Sequence, residues 1–302
     1  MRNYLLPILL ILSSCLESES IPTSSNLYVA AGDILVTSST TDTVHQFDKK
    51  GNYKRILYRT PLATETVGGL GWMHTTNEIL VSMEGTPDRV LAISVVDGSA
   101  RVAFQDAALT GTIRSTTQLY TSRSILVSEQ TAIERFNELG LRETHAAPWP
   151  STVIANVQDV KALQDGRWIA TSTTQAVRLY EDSVAAFAAV ATAAIPDETT
   201  AAHGVAELSN GKFLVSWEGA ATDYLSIYNA DLTLDEHVFG NNQAVLIAPR
   251  GVAQKANGNY LVADNTRDYV LEINSDGQVV RIIGQGILDG AYSVLVVPEF
   301  SP

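Results

Sequence analysis

The chain has 302 residues, 45% of them apolar and 18% charged, a mixture that supports a large buried core and excludes wholesale disorder. Its formal charge is −13, from 33 acidic and 20 basic residues, which disfavours nucleic acid as a partner and anionic lipid headgroups as a docking surface. A single cysteine excludes an internal disulfide, so packing alone must hold the fold.

The first element is MRNYLLPILLILSSC, in which Arg2 precedes an apolar run from Tyr4 to Leu12 and two serines precede Cys15. This layout predicts a secretory signal, since the run is too short to remain as a membrane-spanning helix. Leu12-Ser13-Ser14-Cys15 resembles the lipobox of bacterial lipoproteins. The resemblance implies cleavage before Cys15, lipid on its thiol and, because Leu16 follows, an outer-membrane destination. Residues 1–14 are then the signal peptide, 15–26 a lipidated polar tether, and 27–302 the folded body. Removing residues 1–14 takes away only Arg2, which leaves the mature chain near −14. Its contact with the membrane is therefore expected through acyl chains.

From Ile34 onward the chain repeats. An apolar triplet followed by a small residue recurs at Ile34-Leu35-Val36-Thr37, Ile79-Leu80-Val81-Ser82, Ile125-Leu126-Val127-Ser128, Trp168-Ile169-Ala170-Thr171, Phe213-Leu214-Val215-Ser216 and Tyr260-Leu261-Val262-Ala263. The spacings are 45, 46, 43, 45 and 47 residues. Each triplet is followed by an alternating segment ending at Asp48, Ile93, Phe136, Tyr180, Tyr228 or Ile273, then by Asn, Asp and Gly suited to turns. Five triplets are preceded by a shorter strand: VGGLGW, IRSTTQL, VQDVKAL, HGVAEL and RGVAQK. Four short strands per repeat and six repeats predict an all-β, six-bladed propeller of four-stranded antiparallel blades. The first triplet lacks a good upstream partner, and the segment Gly290 to Glu299 is left over. That terminal strand is expected to close the ring, with Leu27-Tyr28-Val29 as its competitor for the same place. The alanine-rich AAFAAVATAAIP from Ala185 suits either a thin outer strand or a helical loop.

The sixth repeat, with Pro249, Gly251-Val252-Ala253, Asn257-Gly258-Asn259, Tyr260 to Asp264 and the turn Asn274 to Gly277, resembles an NHL repeat. The fifth keeps part of that pattern and the others only its apolar skeleton. More distantly the chain resembles the SMP-30/lactonase-like propellers. These resemblances imply a fold and leave protein binding, lyase and calcium-dependent lactonase activities open.

Aligning the repeats puts Gly68, Arg114, Gln158, His203 and Arg250 at equivalent inner-strand positions, with Tyr292 in the closing strand and Asp159 one place deeper. All of these but Gly68 are the expected ligand-binding residues, and His203 is the candidate general base. At the far ends of the triplets lie Ser38, Glu84, Glu129, Thr173, Glu218 and Asp264. A ring of Glu84, Glu129, Glu218 and Asp264 offers the oxygens that calcium prefers, although no motif requires a cofactor. The lactonase resemblance implies an axial acid set, but a serine stands at Ser38 where an acid would help. No HExxH, GxSxG, GxxxxGK[ST] or GxGxxG occurs. Trp149, in APWP, is the tryptophan best suited to an exposed contact. With the ring complete and each catalytic set incomplete, we expect a lipid-anchored scaffold that holds a protein or carbohydrate at its axial face. The alternative is a calcium-dependent lactonase-like hydrolase using Glu218, Asp264 and His203.

Overall fold

The computed structural model describes residues 27–106, 109, 111–130, 132–143, 156–174, 176–182, 189–193, 201–219, 223–240 and 245–300. Cys15 with the whole leader and tether, Trp149, and the alanine-rich residues 185–188 and 194–196 lie outside these.

Blade one comprises β1 (Ile34–Ser38), β2 (Thr43–Phe47) and β3 (Tyr53–Arg59). Blade two comprises β4 (Thr66–Met73), β5 (Glu78–Glu84), β6 (Arg89–Ser94) and β7 (Ala100–Gln105). Blade three comprises β8 (Ile113–Gln118), β9 (Ile125–Glu129) and β10 (Ile133–Phe136), and blade four β11 (Val157–Ala162), β12 (Trp168–Ser172), β13 (Ala176–Tyr180) and β14 (Ala191–Thr192). Blade five comprises β15 (Ala201–Glu207), β16 (Phe213–Glu218), β17 (Tyr224–Tyr228) and β18 (Leu234–Gly240). Blade six comprises β19 (Pro249–Gln254), β20 (Tyr260–Asp264), β21 (Tyr269–Ile273) and β22 (Val279–Ile283). The last strand, β23 (Ala291–Val296), completes blade one in the order β23-β1-β2-β3. The fold is thus an all-β ring of six antiparallel blades, closed by the C-terminal strand. In blade three the fourth strand is represented among the described residues by the single bridge Phe136↔Arg142. In blade four it is the two-residue β14, which resolves part of the alanine-rich stretch as a thin outer strand.

The segment at Leu27 does not take the closing place. Tyr28 and Val29 donate backbone bonds to Val96 and Val95 of blade two at 3.2 and 3.0 Å, while Val297 and Asp33 fasten β23 beside β1. Ser38 Oγ holds the approach to β23 by donating to Asp289 O and accepting from Asp289 N.

Each triplet is apolar at three successive positions because both faces of its sheet are covered. Alternate side chains point to opposite faces, so Ile34 and Val36 enter the cluster shared with blade six while Leu35 enters the one shared with blade two. A hydrophobic cluster of this kind lies between every pair of neighbouring blades. Trp168 and Trp217 are wholly buried there, and Trp168 stacks on Tyr180 with ring centroids 4.0 Å apart.

All six inner strands break register at the same place. The irregularities fall between Val67 and Leu70, Ile113 and Ser115, Val157 and Asp159, Ala202 and Val205, Pro249 and Val252, and, for β23, opposite Val36 to Ser38. A bulge re-aims its side chain and leaves backbone groups without ladder partners. The small residue after each triplet meets that need in five blades. Thr37 Oγ1 accepts from Ser293 N, Ser82 Oγ donates to Gly69 O, and Ser128 Oγ donates to Ser115 O. Thr171 Oγ1 donates to His203 O, and Ser216 Oγ accepts from Gly204 N at 2.8 Å and donates to Arg250 O at 2.5 Å. Ala263 carries no hydroxyl.

Ser216→Ala leaves a buried amide and a buried carbonyl without these partners, so we expect a loss of about 2 kcal/mol in urea unfolding. Ser209→Ala, in an exposed turn, should stay within about 0.5 kcal/mol of the parent chain.

Candidate functional site

The bulges determine which side chains reach the axis. Gly68, Arg114, Gln158, His203, Arg250 and Tyr292 each sit within one, and all but Gly68 line a small axial cavity with Asp159, Ser115 and Ser293. Neighbouring inner strands approach too closely for bulk at the next position in three blades, at Gly69, Gly204 and Gly251. A Cβ on Gly69 would lie 2.3 Å from Arg114 O, and one on Gly204 2.3 Å from Arg250 O. Toward solvent the cavity opens into a funnel of about 300 Å³ whose wall includes Arg114, Arg250, Tyr292, Glu84, Thr66 and Asn265.

Below the cavity the axis is plugged. Asp159 occupies the position that is glycine or serine in the other blades, and its carboxylate ties three inner strands together. It accepts from Ser115 Oγ at 2.5 Å, Val160 N at 3.0 Å and Val205 N at 3.1 Å, with Lys161 Nζ at 3.3 Å. Lys161 also donates across the ring to Leu70 O at 3.1 Å. Asp159 therefore braces the floor of the site. Sequence reasoning missed Lys161, although it is the lone charge at a position occupied elsewhere by Gly71, Thr117, Ala206, Ala253 and Leu295.

At the wall of the cavity, Glu218 Oε2 lies 2.5 Å from Arg250 Nη1 and 2.8 Å from His203 Nε2. Burial works against ionisation of Glu218, but hydrogen bonds from His203 and Arg250 together with the arginine charge outweigh it and hold the carboxyl at about 2. Burial, reinforced by Arg250 and Arg114, pushes the His203 imidazole down against the pull of Glu218. His203 is only 7% exposed; its Nε2 lies 2.8 Å from Glu218 without hydrogen-bond alignment, and its Nδ1 has no hydrogen-bond partner among the described residues. Nearby Asp223 is buried and raised to about 6, chiefly by desolvation and then by Glu218 and Asp264, despite the amide of Gly219.

The four acids expected to form a calcium ring do not come together as one. Asp264 is 0% exposed, and its carboxylate accepts from four backbone amides, those of Ile247, Ala248, Thr266 and Arg267. Its physical role is to cap the loops at that end of blade six. Glu129 is buried, Glu84 accepts from Thr112 Oγ1 at 3.3 Å on the funnel wall, and Glu218 is engaged by Arg250 and His203. Among the described residues no three His, Cys, Asp or Glu side chains are grouped closely enough to hold a metal ion. The donor set thus does not fit the calcium assignment: Asp264's oxygens face amides, and Glu218 is held by a cation.

The chain matches no protein-family profile and no curated protein. Among solved structures it is similar to a chain of the nidogen/laminin complex, with TM-score 0.68 and 11% identity over 87% of this chain and 97% of that one. It is also similar to a gluconolactonase of Xanthomonas campestris, with TM-score 0.62 and 15% identity over 91% of each. A streptogramin B lyase follows at TM-score 0.55 and 16% identity, over 80% and 77%. These likenesses concern the fold alone.

Because Glu218 titrates lower folded than unfolded, its contribution is fully present above about pH 4.5 and is lost as pH falls toward 2. Glu218→Gln should therefore cost about 1 kcal/mol at pH 7, after allowance for solvent screening, and the gap should close as acid unfolding is followed down to about pH 2.

Proposed function

We propose that the chain is a ligand-binding propeller, held at the bacterial envelope by lipid on Cys15, whose axial mouth takes a protein or carbohydrate partner. One observation carries the binding role: five of the six equivalent bulges converge Arg114, Gln158, His203, Arg250 and Tyr292 on one cavity, while the nearby acids already have other partners. No hydroxyl or thiol lies within hydrogen-bond reach of His203 Nδ1 among the described residues, which disfavours a nucleophile activated there. Anchoring rests on the order of Arg2, the apolar run and Leu12 to Cys15, and the NHL resemblance on the sixth repeat.

A calcium-dependent lactonase-like hydrolase is the second reading, favoured by the likeness of fold to the gluconolactonase and by the His203–Glu218 contact. Calcium separates the two. In thermal unfolding of the full chain, the binding reading expects the same midpoint in calcium and in chelator. A rise of several degrees with calcium, together with lactone hydrolysis that chelator abolishes, overturns it. For anchoring, we expect radiolabelled fatty acid to enter the chain when it is expressed in bacteria, and Cys15→Ser to remove the label and release the protein from membranes.

A further inference from the structure

The axial mouth contains two guanidinium groups in different situations. Arg250 is neutralised by Glu218 at 2.5 Å. Arg114 is not. Its Nη1 donates to the Tyr292 hydroxyl at 3.3 Å, its Nε is buried without a hydrogen-bond partner, and no carboxylate among the described residues lies within ion-pair distance. The other charges bordering the cavity are matched, since Asp159 has Lys161 and Glu218 has Arg250. The inner cavity therefore carries one uncompensated positive charge on a partly buried arginine, within a protein whose formal charge is −13. An unmatched cation with an unused edge is costly unless something completes it.

The surroundings define what fits. Arg114 borders both the cavity and the funnel, and a guanidinium matches a planar carboxylate, to which its N–H groups donate charge-assisted hydrogen bonds. One net charge suits a singly charged anion. A phosphate dianion would bring an excess charge toward Glu84, which lines the same funnel. Beside the apolar Val67 and Ile113, the wall carries the neutral polar groups Thr66, Thr112, Ser39 and Asn265. Those groups pair with hydroxyls rather than with an aliphatic chain, and a funnel of about 300 Å³ is at the small-molecule end of binding sites. Gln158 and His203 also line the inner cavity.

We infer that Arg114 is the anchor for the carboxylate of a hydroxylated monoacid, such as an acidic sugar residue, which enters the funnel and ends against Arg114, Tyr292 and His203. This rests on the axial mouth being a ligand site, as proposed above, and specifies its chemistry.

The test uses the purified full chain in detergent, with sodium D-glucuronate as probe. At about 20 mM the probe should raise the unfolding midpoint by about 3 °C over sodium chloride of equal ionic strength. D-glucose and the methyl ester of D-glucuronate, which lack the charge, should not raise it. Arg114→Gln should abolish the rise, and should itself leave the ligand-free midpoint unchanged or higher, because it removes an unmatched charge. Arg59→Gln, at an exposed arginine, should keep the rise. The inference is overturned if glucuronate and its ester stabilise equally, if no probe stabilises the chain, or if the rise survives in Arg114→Gln. Equal stabilisation by charged and neutral probes would still leave a ligand site standing, whereas calcium-dependent stabilisation with lactone hydrolysis would remove the binding reading itself.

Discussion

Closing six sheets around an axis brings their inner strands so near one another that backbone groups there cannot all be met by ladder bonds or by bulk water. The hydroxyls of Thr37, Ser82, Ser128, Thr171 and Ser216 resolve this constraint, each buried completely and bonded to the bulged stretch of an inner strand. Two of them, Thr171 and Ser216, reach into the next blade, so the same bond that satisfies a bulge also sets the contact between blades. The hydrophobic clusters between blades supply most of the burial, but they are non-directional. In five blades a hydroxyl bond fastens the bulge, while blade six keeps its bulge at the same place with Ala263, and the bulges determine which side chain faces the axis.

Function follows from that geometry through charge. The site is assembled from six separate strands, five of which supply side chains, and their electrostatic state depends on what stands opposite across the ring. Arg250 faces Glu218 and is neutralised, Asp159 faces Ser115 and the amide of Val205 and becomes a brace, and Arg114 faces a tyrosine hydroxyl and stays unmatched. The plug formed by Lys161 and Asp159 closes the axis beneath the funnel.

The propeller was legible because its signal is local and repeated. Three apolar residues and a small one recur at nearly constant spacing, and both faces of each blade are buried, so the pattern survives even where the turn residues drift. The closing strand was legible too, since one triplet lacked a partner and one segment was left over. The alignment also brought Arg114, Gln158, His203, Arg250 and Tyr292 to equivalent places. The acids misled: Glu84, Glu129, Glu218 and Asp264 occupy equivalent strand ends, yet Asp264 caps loops through four amides and Glu218 is paired with a cation. Equivalent position in a repeat does not give equivalent partners, because loops differ between blades.

The sequence alone determined the number of blades and their strand order and brought Arg114, Gln158, His203, Arg250 and Tyr292 to the axis, since these depend on periodicity and burial along the chain, while it left the closing strand in competition with Leu27-Tyr28-Val29. Only the tertiary structure decided that the small residue after five of the six triplets is a hydrogen-bonding group for a bulge, that Lys161 and Asp159 block the channel, and that Arg114 has no carboxylate within ion-pair distance among the described residues. The reason is physical: strand periodicity is written in neighbours along the backbone, whereas the partner of a charge is fixed by distance across the ring.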